Sequence, residues 1–135
     1  MFALCLYPRH LTDIKNLNYI PVGLGKNDFS KDWLRDNTGE NISQKNPFYG
    51  EYTFHYWFWK NMIDSMPENT WIGFCGYRYF WQNSNSEIIL PKKEDILSRV
   101  PEEWSEFDSI ISCKQFTTGI KFKKIIKNGD LSFLF

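Results

Sequence analysis

The stretch that decides the fold is residues 46–65, which read N-P-F-Y-G-E-Y-T-F-H-Y-W-F-W-K-N-M-I-D-S. Asn46 is a favoured N-cap residue because its side-chain oxygen accepts a hydrogen bond from a free backbone N–H. Pro47 suits the first helical position, where its missing N–H costs nothing. Pro67 ends the run, because a proline pushes the residue before it out of the α region. The stretch therefore predicts one helix of about five turns.

Rotation of about 100° per residue divides this predicted helix into two faces. The apolar face is predicted to lie in the core. Its members are Tyr52, Tyr56, Trp59, Met62, Ile63 and Met66, with Phe58 at the edge; the opposite face holds Thr53, Trp57, Lys60, Asn61 and Asp64. Trp57 has two open interpretations: it packs beneath a loop, as the usual burial of tryptophan favours, or it is a stacking platform for a sugar or a base. Aromatic residues on nearly all sides predict a position between a sheet and a second layer.

The composition bounds the class of protein. A chain of 135 residues is long enough for one domain with its own core. Lys plus Arg and Asp plus Glu number 16 each, so the net charge does not indicate nucleic acid or an anionic membrane as partner. Aromatic residues make up 19% of the chain, which exceeds the needs of a core and is typical of surfaces that bind carbohydrate, nucleotides or protein partners.

The cellular compartment follows from the N-terminus and the cysteines. The opening run M-F-A-L-C-L-Y has no basic region before it and no cleavage site after it, and no apolar stretch has the length of a membrane span. Cys5, Cys75 and Cys113 are odd in number and lie in predicted strands, which indicates buried, reduced thiols. No pair has C-x-x-C spacing, so no structural zinc site is predicted. These features predict a cytoplasmic protein without a transmembrane segment, at most peripheral at the inner face of the membrane.

Apolar runs predict a mainly parallel sheet with flanking helices, and hence an α/β fold. The continuous run at residues 2–7 is typical of a strand buried on both faces of such a sheet. Further strands are predicted at residues 19–24, 71–80, 88–90 and 109–113, short helical turns at 31–35 and 101–104, and a helix in the tail up to Asn128.

The loop at residues 36–46, D-N-T-G-E-N-I-S-Q-K-N, consists mostly of turn-forming, capping and charged residues. Asp and Asn side chains bond the backbone two residues on, and Gly adopts positive φ, so the loop is predicted to have a defined shape. It leads into the N-terminus of the aromatic helix, where backbone N–H groups and Lys45 favour an anion. A plain connector whose polar residues cap one another is the alternative.

Tyr77-Arg78-Tyr79 lies at the C-terminal end of the strand predicted at residues 71–80. Ligands of open α/β sheets bind outside the carboxyl ends of the strands. Arg78 at that end is therefore a candidate for bidentate binding of a phosphate or a carboxylate, and stacking of the arginine on tyrosine as edge packing is the alternative.

Three motifs occur in order at residues 36–46, 51–61 and 72–80: D-N-T-G-E-N-I-S-Q-K-N, E-Y-T-F-H-Y-W-F-W-K-N and I-G-F-C-G-Y-R-Y-F. They resemble the domain of unknown function 4422, a bacterial glycosyltransferase-like family of capsular and exopolysaccharide gene clusters. Its motifs are approximately D-N-x-G-D-N-I-S-x-K-N, E-x-T-x-x-Y-W-x-W-K-N and I-G-L-C-H-Y-R-R-Y-F. The resemblance implies a GT-A-like, Rossmann-like fold and transfer of a sugar from a nucleotide-sugar donor to a glycan or lipid-linked acceptor. The residues that it assigns to the donor site are Asp36, Asn37, Asn41, Lys45, Asn46, Glu51, Thr53, Trp57, Lys60, Asn61, Tyr77 and Arg78.

The family's domain is longer than this chain. The resemblance therefore implies that residues 1–135 form the N-terminal, donor-binding part of a single GT-A-like domain, and the apolar ending L-S-F-L-F is consistent with a truncated chain. Other proteins of polysaccharide assembly are implied as partners.

Two positions depart from the family pattern: Gly76 replaces a histidine and Tyr79 replaces an arginine. These departures support an alternative function, a non-catalytic remnant that binds a nucleotide-sugar or serves as a scaffold. The chain also has no Asp-x-Asp, the motif by which many GT-A enzymes hold a divalent cation, so no metal cofactor is predicted and Arg78 is expected to offset the phosphate charge instead. A third possibility is RNA binding by the aromatic strand G-F-C-G-Y-R-Y-F. The strand does not begin with the basic residue typical of RNA-binding strands, and the chain has no net positive charge.

Overall fold

The computed structural model of the protein describes residues 1–82 and 93–111. It contains a four-stranded sheet of β1 (Phe2–Cys5), β2 (Ile20–Gly23), β3 (Leu34–Arg35) and β4 (Phe74–Gly76), in the order β3-β2-β1-β4. All three strand pairs are parallel. The strand order places β1 in the interior of the sheet, which explains why its four residues are apolar and buried.

Helices cover both faces of the sheet. α1 (Leu11–Asn16) connects β1 to β2, and its Ile14 packs in one core cluster with Ala3 and Cys5. α2 (Asn46–Tyr49) and α3 (Tyr52–Asn61) lie between β3 and β4. α3 packs on the other face, where its aromatic side chains join Phe2 and Leu4. Alternate residues of β1 thus supply two cores, and the predicted α/β fold with a parallel sheet and flanking helices is confirmed.

The prediction of one helix over residues 46–65 is wrong. Gly50 adopts a φ of +54° between α2 and α3, a conformation that glycine reaches without steric cost. α3 then ends at Asn61, and a separate 3₁₀ turn follows at Ile63–Ser65. Asn46 is not the N-cap: its Nδ2 donates to the Gly50 carbonyl at 2.8 Å and to the Thr53 hydroxyl oxygen at 3.2 Å, so that it braces the break.

The predicted core face of this segment is wrong for most of α3, although Met62 and Met66, which follow α3, pack against the core as predicted. Tyr52 and Trp59 are 70% and 55% exposed, whereas Phe54 and Trp57 are 0% and 5% exposed. The buried face of α3 consists of Thr53, Phe54, Trp57 and Phe58. Because nearly every side of the helix carries aromatic residues, their periodicity did not select the face that meets the sheet.

The other elements differ from prediction mainly in their bounds. The strands predicted at 2–7 and 19–24 are each shorter by two residues, and the strand predicted at 71–80 has only three residues. The segment predicted as a helical turn at 31–35 forms a turn and then β3, whereas the turn predicted at 101–104 is confirmed as a 3₁₀ turn at Glu102–Trp104. Residues 109–111 are not a strand; the predictions for 88–90, Cys113 and the tail lie outside the described residues.

The chain divides into two compact units, Met1–Glu102 and Glu103–Phe135. The sheet, α1, α2 and α3 all belong to the first unit. In the described part of the chain, no helix combines the length and the apolar character needed to cross a membrane.

Candidate functional site

The carboxyl edge of the sheet contains the point where the strand order reverses. From β1 the chain steps to β2 and β3 on one side, and β4 is then added on the other side of β1. The crevice at such a reversal is where open α/β sheets bind their ligands. The segments that follow β1 and β4 meet there, and the Tyr77 N–H donates to the Leu4 carbonyl at 2.9 Å.

Five side chains from these two segments lie together, and we call them the switch-point cluster: Tyr7, Arg9, His10, Tyr77 and Arg78. The ring centroids of Tyr7 and Tyr77 are 5.7 Å apart, and those of His10 and Tyr77 are 5.0 Å apart. The Arg9 guanidinium lies 5.1 Å from the Tyr7 ring. The cluster therefore combines aromatic surface with two positive charges.

Arg78 is a predicted site residue that is exposed at the switch point and available to a ligand. Its guanidinium carbon lies 5.3 Å from the Tyr77 ring and 5.9 Å from the Tyr79 ring, and the side chain is exposed. It takes part in no hydrogen bond or ion pair with the residues at 1–82 or 93–111. Stacking engages the face of a guanidinium and leaves the N–H groups at its edge free, so the two interpretations of Arg78 are compatible.

Glu51 reaches the same edge from the start of α3. A Cβ atom at Gly76 would lie 2.8 Å from Glu51 Oε1, so the carboxylate stands against the backbone at the end of β4. Burial raises the pKa of Glu51, and the positive charge of Arg78 opposes that rise. Burial, and then the charge of Glu51, raise the pKa of the Cys75 thiol to about 12. Of the predicted site residues, the structure thus brings Glu51, Tyr77 and Arg78 together.

The loop at residues 36–46 lies against α3, and hydrogen bonds and an ion pair hold it there. The Trp57 indole N–H donates to the Thr38 carbonyl at 2.7 Å, and the ring is 5% exposed. Packing beneath the loop is therefore the observed arrangement, and a stacking platform is not. Asn61 accepts from the Glu40 N–H at 3.1 Å and donates to the Glu40 carbonyl at 2.9 Å. Lys60 lies 3.5 Å from the Glu40 carboxylate.

The remaining loop residues divide into capped and exposed ones. The Asn41 side chain donates to the Gly39 carbonyl and accepts from Ser43. Asn37 and Lys45 are exposed, and the helix that follows Lys45 has only four residues. The dipole of so short a helix is weak, and the predicted anion site at this junction receives no additional support.

Asp36, the first residue of the loop at residues 36–46, is buried in the interior of the protein. Its side chain is 0% exposed, and neither carboxylate oxygen has a hydrogen-bond partner within the described ranges. Burial raises the pKa of Asp36, against the opposing effects of the Thr53 hydroxyl and the Arg35 guanidinium. Asp36, Asn46 and Thr53 are thus predicted donor-site residues that the structure places in the interior.

Sequence reasoning missed Tyr7, Arg9 and His10. The signal that identifies them is the position of Y-P-R-H directly after β1, because the rule that drew attention to Arg78 applies equally to the carboxyl end of every parallel strand. Among the described residues no three His, Cys, Asp or Glu side chains are grouped to hold a metal ion.

A family model, Domain of unknown function (DUF4422), matches residues 6–131, and the chain belongs to this family. The curated proteins and the solved structures that were compared with the chain give no match.

Proposed function

We propose that this member of the DUF4422 family is a glycosyltransferase-like domain that binds a nucleotide-sugar and transfers its sugar in capsular polysaccharide, exopolysaccharide or lipopolysaccharide synthesis. The observation that carries the proposal is the exposed Arg78 guanidinium at the switch point of a parallel sheet. Transfer to a glycan or lipid-linked acceptor is proposed to occur in the cytoplasm or at the inner face of the membrane.

The chemistry of the cluster fits a nucleoside diphosphate. A guanidinium binds a phosphate through two parallel N–H···O bonds, and Arg9 supplies a second positive charge on the neighbouring segment. The Tyr7, His10 and Tyr77 rings offer surface on which a base or a sugar stacks.

Arg78 has a direct role in the proposed reaction. When the bond between the sugar and the diphosphate breaks, negative charge grows on the leaving phosphate. A guanidinium that is already stacked on tyrosine rings stabilises that charge without further ordering.

The test is isothermal titration calorimetry of the full chain with UDP-, GDP- and dTDP-linked sugars. Arg78→Ala should weaken donor binding by about 1.5–3 kcal/mol, the value of a charged hydrogen bond, which is roughly 10- to 100-fold in Kd. Lys15→Ala is the matched control, because Lys15 lies at the end of α1, at the opposite edge of the sheet, and forms only a surface ion pair with Asp32. EDTA should leave the affinity unchanged. Equal affinities of the two variants, or binding that EDTA abolishes, would refute the assignment of Arg78.

A second candidate function is a non-catalytic module that binds the nucleotide-sugar within a polysaccharide-assembly complex. The departures at Gly76 and Tyr79 favour it, because a family histidine and arginine are missing at the candidate site. Donor binding without release of nucleoside diphosphate would favour this module over the enzyme.

A further inference from the structure

Glu51 owes its position to two glycines. Gly50, with a φ of +54°, turns the chain so that α3 begins beside the end of β4. Gly76 leaves the space that the Glu51 carboxylate enters, since any side chain there would begin 2.8 Å from Oε1. The Glu51 carboxylate therefore reaches the switch point from the start of α3, whereas the switch-point cluster comes from the segments that follow β1 and β4.

The surroundings of Glu51 leave its carboxylate free to accept a proton. It forms no ion pair within 4 Å and no side-chain hydrogen bond in the part of the chain that the structure describes. The groups that face it are Arg78, which is positively charged, and Cys75, whose raised pKa keeps it a neutral thiol. Glu51 as a whole is exposed, and the partial burial of its carboxylate against the end of β4 raises its pKa, which makes it a stronger base than an ordinary glutamate.

We propose that the Glu51 carboxylate is the general base of the sugar transfer, an inference that rests on the proposed function. The acceptor hydroxyl hydrogen-bonds to Glu51 and attacks the anomeric carbon of the donor. The new bond joins the acceptor oxygen to that carbon as the bond between the carbon and the phosphate oxygen breaks. The hydroxyl proton passes to Glu51, and the electron pair of the broken bond leaves with the nucleoside diphosphate, which Arg78 holds.

The experiment measures both donor affinity and release of nucleoside diphosphate, with water as the acceptor, for the full chain and two matched variants. Glu51→Gln keeps the size of the side chain and removes the base. Glu68→Gln is the control, because Glu68 is exposed and precedes β4, on the amino side of the sheet. Circular dichroism spectra and urea unfolding check that both variants fold.

Glu51→Gln should keep the Kd of the donor within about threefold and lower turnover about 100-fold or more, the contribution typical of a general base. Turnover of the unmodified chain should fall as pH drops through the Glu51 pKa, and this limb should be absent in the variant. Turnover of Glu51→Gln within threefold of Glu68→Gln would overturn the inference. Tight donor binding without turnover in the unmodified chain would also overturn the inference about Glu51, while the proposed donor-binding site would stand. Absence of donor binding in the unmodified chain would instead overturn the proposed function itself.

Discussion

Replacement of Asn61 by alanine tests whether the polar face of α3 holds the loop at residues 36–46 in place. The Asn61 side chain makes three hydrogen bonds: it accepts from the Glu40 N–H at 3.1 Å and donates to the Glu40 carbonyl at 2.9 Å and to the Trp57 carbonyl at 2.8 Å. The two bonds to Glu40 are exposed, so that water replaces them at a cost of about 0.5 kcal/mol each, whereas the partly buried bond to Trp57 contributes about 1 kcal/mol. Asn61→Ala should therefore lower the free energy of unfolding by about 2 kcal/mol.

Urea unfolding followed by tryptophan fluorescence measures this loss, and hydrogen exchange of the Glu40 amide reports the local opening. Asn37→Ala is the matched control, because Asn37 is an exposed asparagine of the same loop and should change stability by less than about 0.5 kcal/mol. Equal unfolding free energies for the two variants, or an unchanged exchange rate at Glu40, would refute the structural role of Asn61. A loss of donor affinity in Asn61→Ala at full folding would instead assign the residue to the ligand.

Two further predictions concern carboxylates. Because burial raises the pKa of Asp36, the stability that its protonated form contributes is present below the unfolded pKa of about 3.8 and is lost as pH rises through the folded pKa. Asp36→Asn should therefore match the unmodified chain in urea unfolding at low pH and exceed its stability by about 1–3 kcal/mol above the folded pKa; a gain that shrinks as pH rises would contradict this. Gly76→Ala should displace the flexible Glu51 side chain toward solvent and lower its pKa toward the ordinary 4.5, with stability changed by less than about 1 kcal/mol. NMR titration of Glu51 measures the shift in its pKa. An unchanged pKa would show that the space at position 76 does not determine where the Glu51 carboxylate lies.

The parallel sheet could be predicted because its signal is local. The run at residues 2–7 is apolar without alternation, and a strand covered on both faces needs such a run. β3 escaped prediction because it has two residues, Leu34 and Arg35, paired only with Val22 and Gly23. Two residues are too few to show the alternation of apolar and polar side chains that predicts a strand, so β3 is recognised only by its pairing with β2.

The break in the aromatic helix could not be predicted from propensity. A glycine inside a helical pattern costs only about 1 kcal/mol relative to alanine, so Gly50 alone did not rule out a continuous helix. The break is stabilised by side-chain hydrogen bonds across it, because Asn46 and Thr53 both donate to the Gly50 carbonyl, at 2.8 and 3.0 Å. A buried polar network of this kind is visible only when the two sides of the break are known to be adjacent.

The family resemblance identified the residues of the three motifs but did not separate their tasks. Three motif side chains donate hydrogen bonds to backbone carbonyls: Trp57 and Asn61 to the loop at residues 36–46, and Asn46 to the helix break at Gly50. The Arg78 guanidinium donates no hydrogen bond to the described residues and is exposed at the carboxyl edge of the sheet. Since a polar atom that is already bonded and buried is costly to redirect toward a ligand, we expect Trp57, Asn61 and Asn46 to stabilise the structure and Arg78 to remain available for binding.

Position 76 shows why a departure from a family motif has to be judged in three dimensions. From the sequence alone, glycine in place of histidine removes a titratable group from the candidate site. In the folded chain, the space that a side chain at position 76 would enter holds Glu51 Oε1, 2.8 Å from where its Cβ would lie. The edge beside Arg78 therefore keeps a titratable group, supplied from α3 instead of β4. A histidine at this position and the present placement of Glu51 exclude each other sterically, so the Glu51 carboxylate reaches this edge of the sheet only because position 76 has no side chain.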